Sequence, residues 1–181
     1  MYAANLAGAT DAGLIVGAYH RATPSADPGD ARAEADHFLS VARNDAGDLL
    51  PALDIEETGG LTPPELVDWV RTWVQRVRNR LGVRSLLYAS PYFWRTNMGD
   101  STWFADRDYP LWIAHWNVAA PDVPAENWGG RGWAVWQWTA TGHVNGIDTD
   151  VDRDRVQGDL DGVRIASLTV TPSVGGSVTG P

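Results

Sequence analysis

The chain has no cysteine and no lysine, and its 181 residues include two methionines. Without cysteine there are no disulfides and no thiolate metal sites, so the fold must rest on packing, and the compartment is left undecided. Without lysine, the 14 cations are all arginines, scattered along a chain of net charge −9. Phosphate binding depends on clustered cations, which argues against a nucleic-acid partner and, equally, against an anionic membrane surface. No stretch approaches the roughly 20 apolar residues that a membrane helix needs. The start, Met1-Tyr2-Ala3-Ala4-Asn5, lacks a basic segment and meets Asp11 early, so no signal peptide is read there. Four scattered histidines leave zinc unsupported.

What the chain does have is two acids in phase. Leu49-Leu50-Pro51-Ala52-Leu53-Asp54-Ile55-Glu56 is a short apolar run that breaks at Thr58-Gly59-Gly60. Side chains alternate along a strand, so Asp54 and Glu56 share a face, roughly 6–7 Å apart along the chain. Such a pair at a strand's C-terminal end suits the catalytic rim of a parallel α/β barrel, and it equally suits an ordinary acidic strand end. There are also ten tryptophans, eight of them between Trp94 and Trp138. A flat apolar ring with one N–H serves a core or the face of a sugar, so both packing and a carbohydrate groove stay open.

Along the chain, Asn5–Ala12 reads as a helix end closed by Gly13, followed by a buried strand at Leu14–Tyr19. Ala31, Ala35, Phe38, Leu39 and Ala42 at helical spacing predict a helix from Asp30 to Asn44, and the strand with Asp54 and Glu56 comes next. Thr62-Pro63-Pro64-Glu65 is a capping-box start for a helix that presents Leu66, Trp69, Val70, Trp73 and Val77 and ends near Gly82. Strands are expected at Ser85–Ala89, Leu111–His115, Trp133–Trp138 and Ile147–Val151. The order predicts a parallel sheet or barrel. A closed barrel of this type needs eight strands, so two are missing or the barrel is open. Residues 166–181, rich in Ser, Thr, Gly, Pro and Val, read as a linker or tail after a domain spanning 1–165.

Taken in order, Ala12-Gly13-Leu14-Ile15-Val16-Gly17-Ala18-Tyr19-His20, Pro51 to Glu56, Leu87-Tyr88-Ala89-Ser90, Leu111-Trp112-Ile113-Ala114-His115-Trp116, Trp136-Gln137-Trp138-Thr139 and Gly146-Ile147-Asp148 with Val151-Asp152 resemble the glycoside hydrolase family 25 lysozymes. The resemblance implies an α/β fold, a TIM-like (β/α) barrel of the family 25 lysozyme type, here missing its first two strands. It implies an N-acetylmuramidase that cuts the β-1,4 bond between N-acetylmuramic acid and N-acetylglucosamine in bacterial peptidoglycan. It also predicts two strands and a helix ahead of Asn5, with a further acid in an Asp-x-Ser setting, and hence a partner segment completing the barrel.

Glycoside cleavage needs two carboxyl groups in different protonation states. Glu56 is expected as the general acid, its ionisation disfavoured by a charged Asp54. By resemblance, Asp54 would orient the substrate's N-acetyl group; direct nucleophilic attack stays open. Asp152 matches a third acid, or caps a helix. Tyr19, Tyr88, His115 and Gln137 fall at strand ends where they could bind sugar, while Trp112 and Trp136 fit a groove wall or the core. His20 follows a strand and could face the groove. No cofactor or metal is expected: Asp148-x-Asp150-x-Asp152-x-Asp154 hints at a calcium loop, but its sixth position is Arg153 and its twelfth Asp159. A non-catalytic glycan-binding module is the rival reading; a chitinase fits less well, because Leu50-Pro51-Ala52-Leu53 stands where further acids belong. The resemblance implies a secreted, extracellular enzyme or a phage lysin, and arginine without lysine suits a GC-rich genome such as that of actinobacteria or their phages.

Overall fold

A computed structural model describes residues 2–166. The expected tail therefore lies, from residue 167 onward, outside the described residues. Six strands form one sheet in chain order: β1 Tyr19–Arg21, β2 Ala52–Asp54, β3 Leu86–Ala89, β4 Leu111–Ala114, β5 Val135–Gly142 and β6 Val151–Val156. The first five run parallel, and β6 returns antiparallel to β5. Helix α1 Tyr2–Asp11 precedes β1, and α2 Asp30–Val41, α3 Pro63–Leu81 and α4 Pro91–Asn97 fill the first three connections between strands. The result is an α/β half-barrel, open among the described residues between β1 and β6.

Helix α3 is built as its sequence predicts. Thr62 and Glu65 form the capping box, Pro63 fits the first turn, and Gly82 at φ 75° ends the helix in a left-handed conformation that favours glycine. Leu66, Trp69, Val70, Trp73, Val74 and Val77 are buried and meet Ala31, Ala35 and Phe38 of α2. Trp73 lies between Phe38, at 5.4 Å, and His20, at 5.7 Å. Arg76 grips Asp36 of α2 through two bonds, at 2.8 and 3.0 Å.

The parallel register divides the sheet into two faces. Leu53, Ile55, Leu87, Ala89, Ile113 and Trp136 point to the helices and join the main core. Ala52, Leu86 and Val135 point the other way, where Val163, Trp112 and Val156 close a smaller cluster. Two residues further along, on the same face, stand Asp54, Tyr88 and Gln137, so that cluster is the floor of the open mouth.

Three expectations are corrected. The first strand begins at Tyr19, and Leu14 and Ile15 are exposed. Segment 14–18 bonds to its neighbour on one side, through Leu49 N–H to Val16 O and Ala52 N–H to Ala18 O, and no described strand covers the other. Helix α2 stops at Val41 rather than Asn44. The last strand begins at Val151, where it was expected to end, and it is antiparallel, because the short link from Gly142 has no room for a crossover.

The chain after β4 contains a turn of opposite hand. Within Pro124–Gly129, Ala125, Glu126, Asn127 and Trp128 all have φ between 53° and 56°, a left-handed helical turn without glycine. Each such residue costs about 1–2 kcal/mol. Burial of Trp128, its indole N–H bond to Tyr109 O at 2.7 Å, and the Ala125 N–H bond to Asp100 Oδ1 at 2.8 Å offset that cost.

The loop after β2 is pinned just as tightly. Gly59 has φ 56°, and a Cβ there would fall 1.6 Å from the Pro24 carbonyl oxygen, on the loop after β1. Gly59→Ala is therefore expected to destabilise the protein by at least about 2 kcal/mol, from backbone strain and overlap together. Urea unfolding would measure this; an unchanged midpoint would show that the two rim loops are not held against each other.

Candidate active site

The rim of the mouth is fixed by backbone bonds before any side chain is considered. Ala22 N–H donates to Asp54 O and Ile55 N–H to Tyr88 O, so the ends of β1, β2 and β3 stay level. Tyr19, Arg21, Asp54, Glu56, Tyr88, Trp112, Gln137 and Asp152 then line one cavity of about 170 Å³. All three predicted acids are brought together, with Tyr19, Tyr88, Trp112 and Gln137 beside them. Asp152 lies within β6 and does not cap a helix. His115 lines the adjoining groove, where its Nδ1 accepts from Asp122 N–H at 3.0 Å.

Trp136 is not in either cavity. It is one residue out of phase with Gln137, so it faces the helices, is buried in the main core, and donates its indole N–H to His115 O at 2.8 Å. His20 is displaced for the same reason: it lies under the helices, 2.7 Å from Glu34. Most tryptophans likewise serve packing. Trp69, Trp73, Trp94, Trp128 and Trp136 are buried, and Trp103, Trp133 and Trp138 pack against the core. Trp112 and Trp116 remain for the open side.

The polar side of the cavity is a connected set. Tyr88 O–H and Trp116 N–H both donate to Gln137 Oε1 at 2.9 Å, and Trp112 N–H donates to Asp154 Oδ1 at 2.6 Å. Arg21, on the face of Tyr19 and Asp54, bonds Glu57 at 3.2 Å and lies 3.9 Å from Glu56. Sequence reasoning missed Arg21 and Asp154, although period-two alternation puts them in phase with Tyr19 and Asp152. Tyr92 of α4, which lines the adjoining groove, lies on a helix and carries no such signal.

The two central acids are not equivalent, and the imbalance differs from the one expected. Asp54, the last residue of β2, is 7% exposed and its Oδ1 has no partner, whereas the Glu56 side chain, beyond the strand end, is 44% exposed. Burial pushes the Asp54 carboxyl up to about 7, and the charge of Glu56 and a carboxyl–carboxyl bond to it add to the effect, against the pull of Arg21. Asp54 thus keeps its proton to a higher pH than an ordinary aspartate. Tyr88 is also raised, by burial and then by the charges of Glu56, Asp54 and Asp152, so its phenol stays protonated as a donor.

Comparison with known proteins gives the family of this fold. The model for Glycosyl hydrolases family 25 matches residues 1–147. The chain belongs to glycoside hydrolase family 25. It is 36% identical over 166 residues to Lysozyme M1 of Streptomyces globisporus, a match that covers 87% of this chain and 54% of that one. The chain thus spans about half the length of this curated relative. It resembles the solved lysozyme of Streptomyces coelicolor at 32% identity and TM-score 0.81, covering 92% of this chain and 78% of that one. The solved muramidase of Trichobolus zukalii gives 26% and 0.75, with coverages of 91% and 78%. As a family 25 domain, the chain has the curled α/β sheet of these structures.

A carboxyl raised in the folded state makes stability depend on pH. Below about 4 Asp54 is protonated folded or unfolded and contributes nothing; as pH rises through 7 the unfolded chain sheds that proton first, and stability falls. Asp54→Asn is expected to match the parent near pH 4 and to exceed it by on the order of 2–4 kcal/mol at pH 8. Thermal unfolding across that range would show a gap that widens with pH; a constant gap would mean that Asp54 is not raised.

Proposed function

We propose that this chain is a peptidoglycan hydrolase, an N-acetylmuramidase that cleaves the β-1,4 bond between N-acetylmuramic acid and N-acetylglucosamine. The observation that carries this reading is the pair formed by a buried Asp54, its carboxyl raised by that burial, and an open Glu56 in one cavity. The lysozyme and muramidase names of its relatives point the same way.

Bound glycan covers Glu56, removes it from water and favours its neutral form. The proton then passes from Asp54 to Glu56, which leaves Asp54 charged as the reaction begins. Glu56 donates that proton to the leaving glycosidic oxygen while the carbonyl oxygen of the sugar's own N-acetyl group attacks C1. The C1–O bond breaks, and Asp54 accepts a hydrogen bond from the acetamido N–H and balances the positive charge on the ring so formed. Water, deprotonated by the Glu56 carboxylate, then attacks C1 and restores the acetamido group, with net retention. Asp152 adds negative charge across the mouth. Tyr19, Tyr88, Trp112 and Gln137 hold the sugar, with His115 further along. No step calls for a metal or cofactor.

Because the substrate lies outside the bacterial membrane, the site of action is extracellular, or the cell wall reached by a phage lysin. The uncovered edge of segment 14–18, where Leu14 and Ile15 are exposed, and of β1 after it would seat a segment that completes the barrel.

Digestion of purified peptidoglycan is expected to yield new muramic-acid reducing ends by mass spectrometry. Glu56→Gln should lower that rate by about 10²–10⁴-fold while still sedimenting with the wall, since removing the acid removes proton transfer and little else. A folded parent that makes no new ends, or a Glu56→Gln variant of full activity, would overturn the proposal.

A further inference from the structure

A second cavity, of about 700 Å³, adjoins the acidic one. Glu56 and Tyr88 line both, so the two form one continuous groove. The larger part is in the size range of pockets that hold whole ligands, and the smaller holds little beyond the reacting centre. Two of its open surfaces are aromatic: Tyr92, on the first turn of α4, is 74% exposed, and Trp116, just past β4, is 47% exposed.

Neither ring stands on loose ground. Trp116 is tied through its indole N–H to Gln137, whose oxygen is also held by Tyr88. Below Tyr92, Ser90 caps α4 by accepting from Phe93 N–H, and Phe93 and Trp94 are buried. Between them, Asp122 is clamped by two bonds from Arg95, at 2.6 and 2.8 Å, and its N–H is taken by His115. Two open rings on a fixed polar floor are suited to a ligand with flat apolar faces and polar edges, and they bind it with little ordering cost. A β-1,4-linked N-acetylhexosamine chain has that form: its C–H faces can stack on the rings while hydroxyls and acetamido groups reach the floor.

The geometry points to a sugar-stacking subsite made by Tyr92 and Trp116, which holds the glycan away from the bond that is cut and makes Tyr92 a determinant of chain-length preference. This rests on reading the acidic cavity as the place of cleavage. The rings touch no reacting atom and grip substrate and transition state alike, so their loss raises KM more than it lowers kcat.

The test is calorimetric titration with soluble β-1,4 N-acetylglucosamine oligomers of increasing length, in a Glu56→Gln background so that nothing turns over, alongside peptidoglycan digestion by the Glu56 protein. Affinity should tighten as the oligomer grows past the reacting centre. Tyr92→Ala should lose about tenfold for the long oligomers, roughly 1.4 kcal/mol, and Tyr92→Phe should restore it. Alanine suits an exposed helix position, and thermal unfolding would confirm that the variant folds. Affinity independent of length, or a Tyr92→Ala variant that binds long oligomers as tightly as its parent, overturns the subsite. Length-dependent binding lost in Tyr92→Ala upholds it, even where the Glu56 protein releases no reducing ends, a result that would sink the hydrolase reading alone.

Discussion

Everything at the mouth of the half-barrel depends on the phase of β2. Leu53 and Ile55 are fully buried against the helices, and that packing leaves Asp54 and Glu56 to emerge on the opposite side. Parallel pairing sets the same phase in the neighbours, so Arg21 is level with Asp54 and Asp54 with Tyr88, and Trp112 follows Tyr88. A slip of one residue would carry two carboxyls into the core and two aliphatic side chains into water. The large buried face of α3 therefore acts at a distance on the site: it is the weight that keeps the strand from sliding.

Helix packing thus supports an arrangement that is unfavourable on its own terms. Asp54 is a carboxyl withdrawn from water with one oxygen unpartnered, facing other acids, with Arg21 as the nearest balancing charge. The left-handed turn at Ala125–Trp128 and the contact of Gly59 with Pro24 are similar local costs. The acid lies in the cavity and the Gly59 contact joins two rim loops, whereas α3 is regular, capped and densely packed.

Much of this was legible because it follows from a period of two. Once the strand of Asp54 and Glu56 was in hand, Tyr88, Trp112 and Gln137 followed from their places at neighbouring strand ends, and the α3 start followed from Thr62 and Glu65. The same rule would have removed Trp136 and His20, which are each one residue out of phase with a groove residue. What could not be read was where β2 stops. Asp54 closes the strand and Glu56 lies beyond it, and that difference of two residues decides which acid is buried and which is open. The fate of the tryptophans was also hidden, since composition does not say which side of a strand or helix will be covered. The reversal of β6 turned on the length of a link whose strand boundaries were misjudged.

The bonds at Gln137 have a directional consequence. An indole can only donate, so Trp116 obliges Gln137 to turn its oxygen toward the groove, and that oxygen in turn takes the hydroxyl proton of Tyr88. With its proton pointed away, Tyr88 presents lone pairs to whatever else lies around it. A ring on the outer wall therefore orients a row of dipoles that ends at the acids, so the polarity of the reacting centre is written from outside it by a group that never changes its protonation.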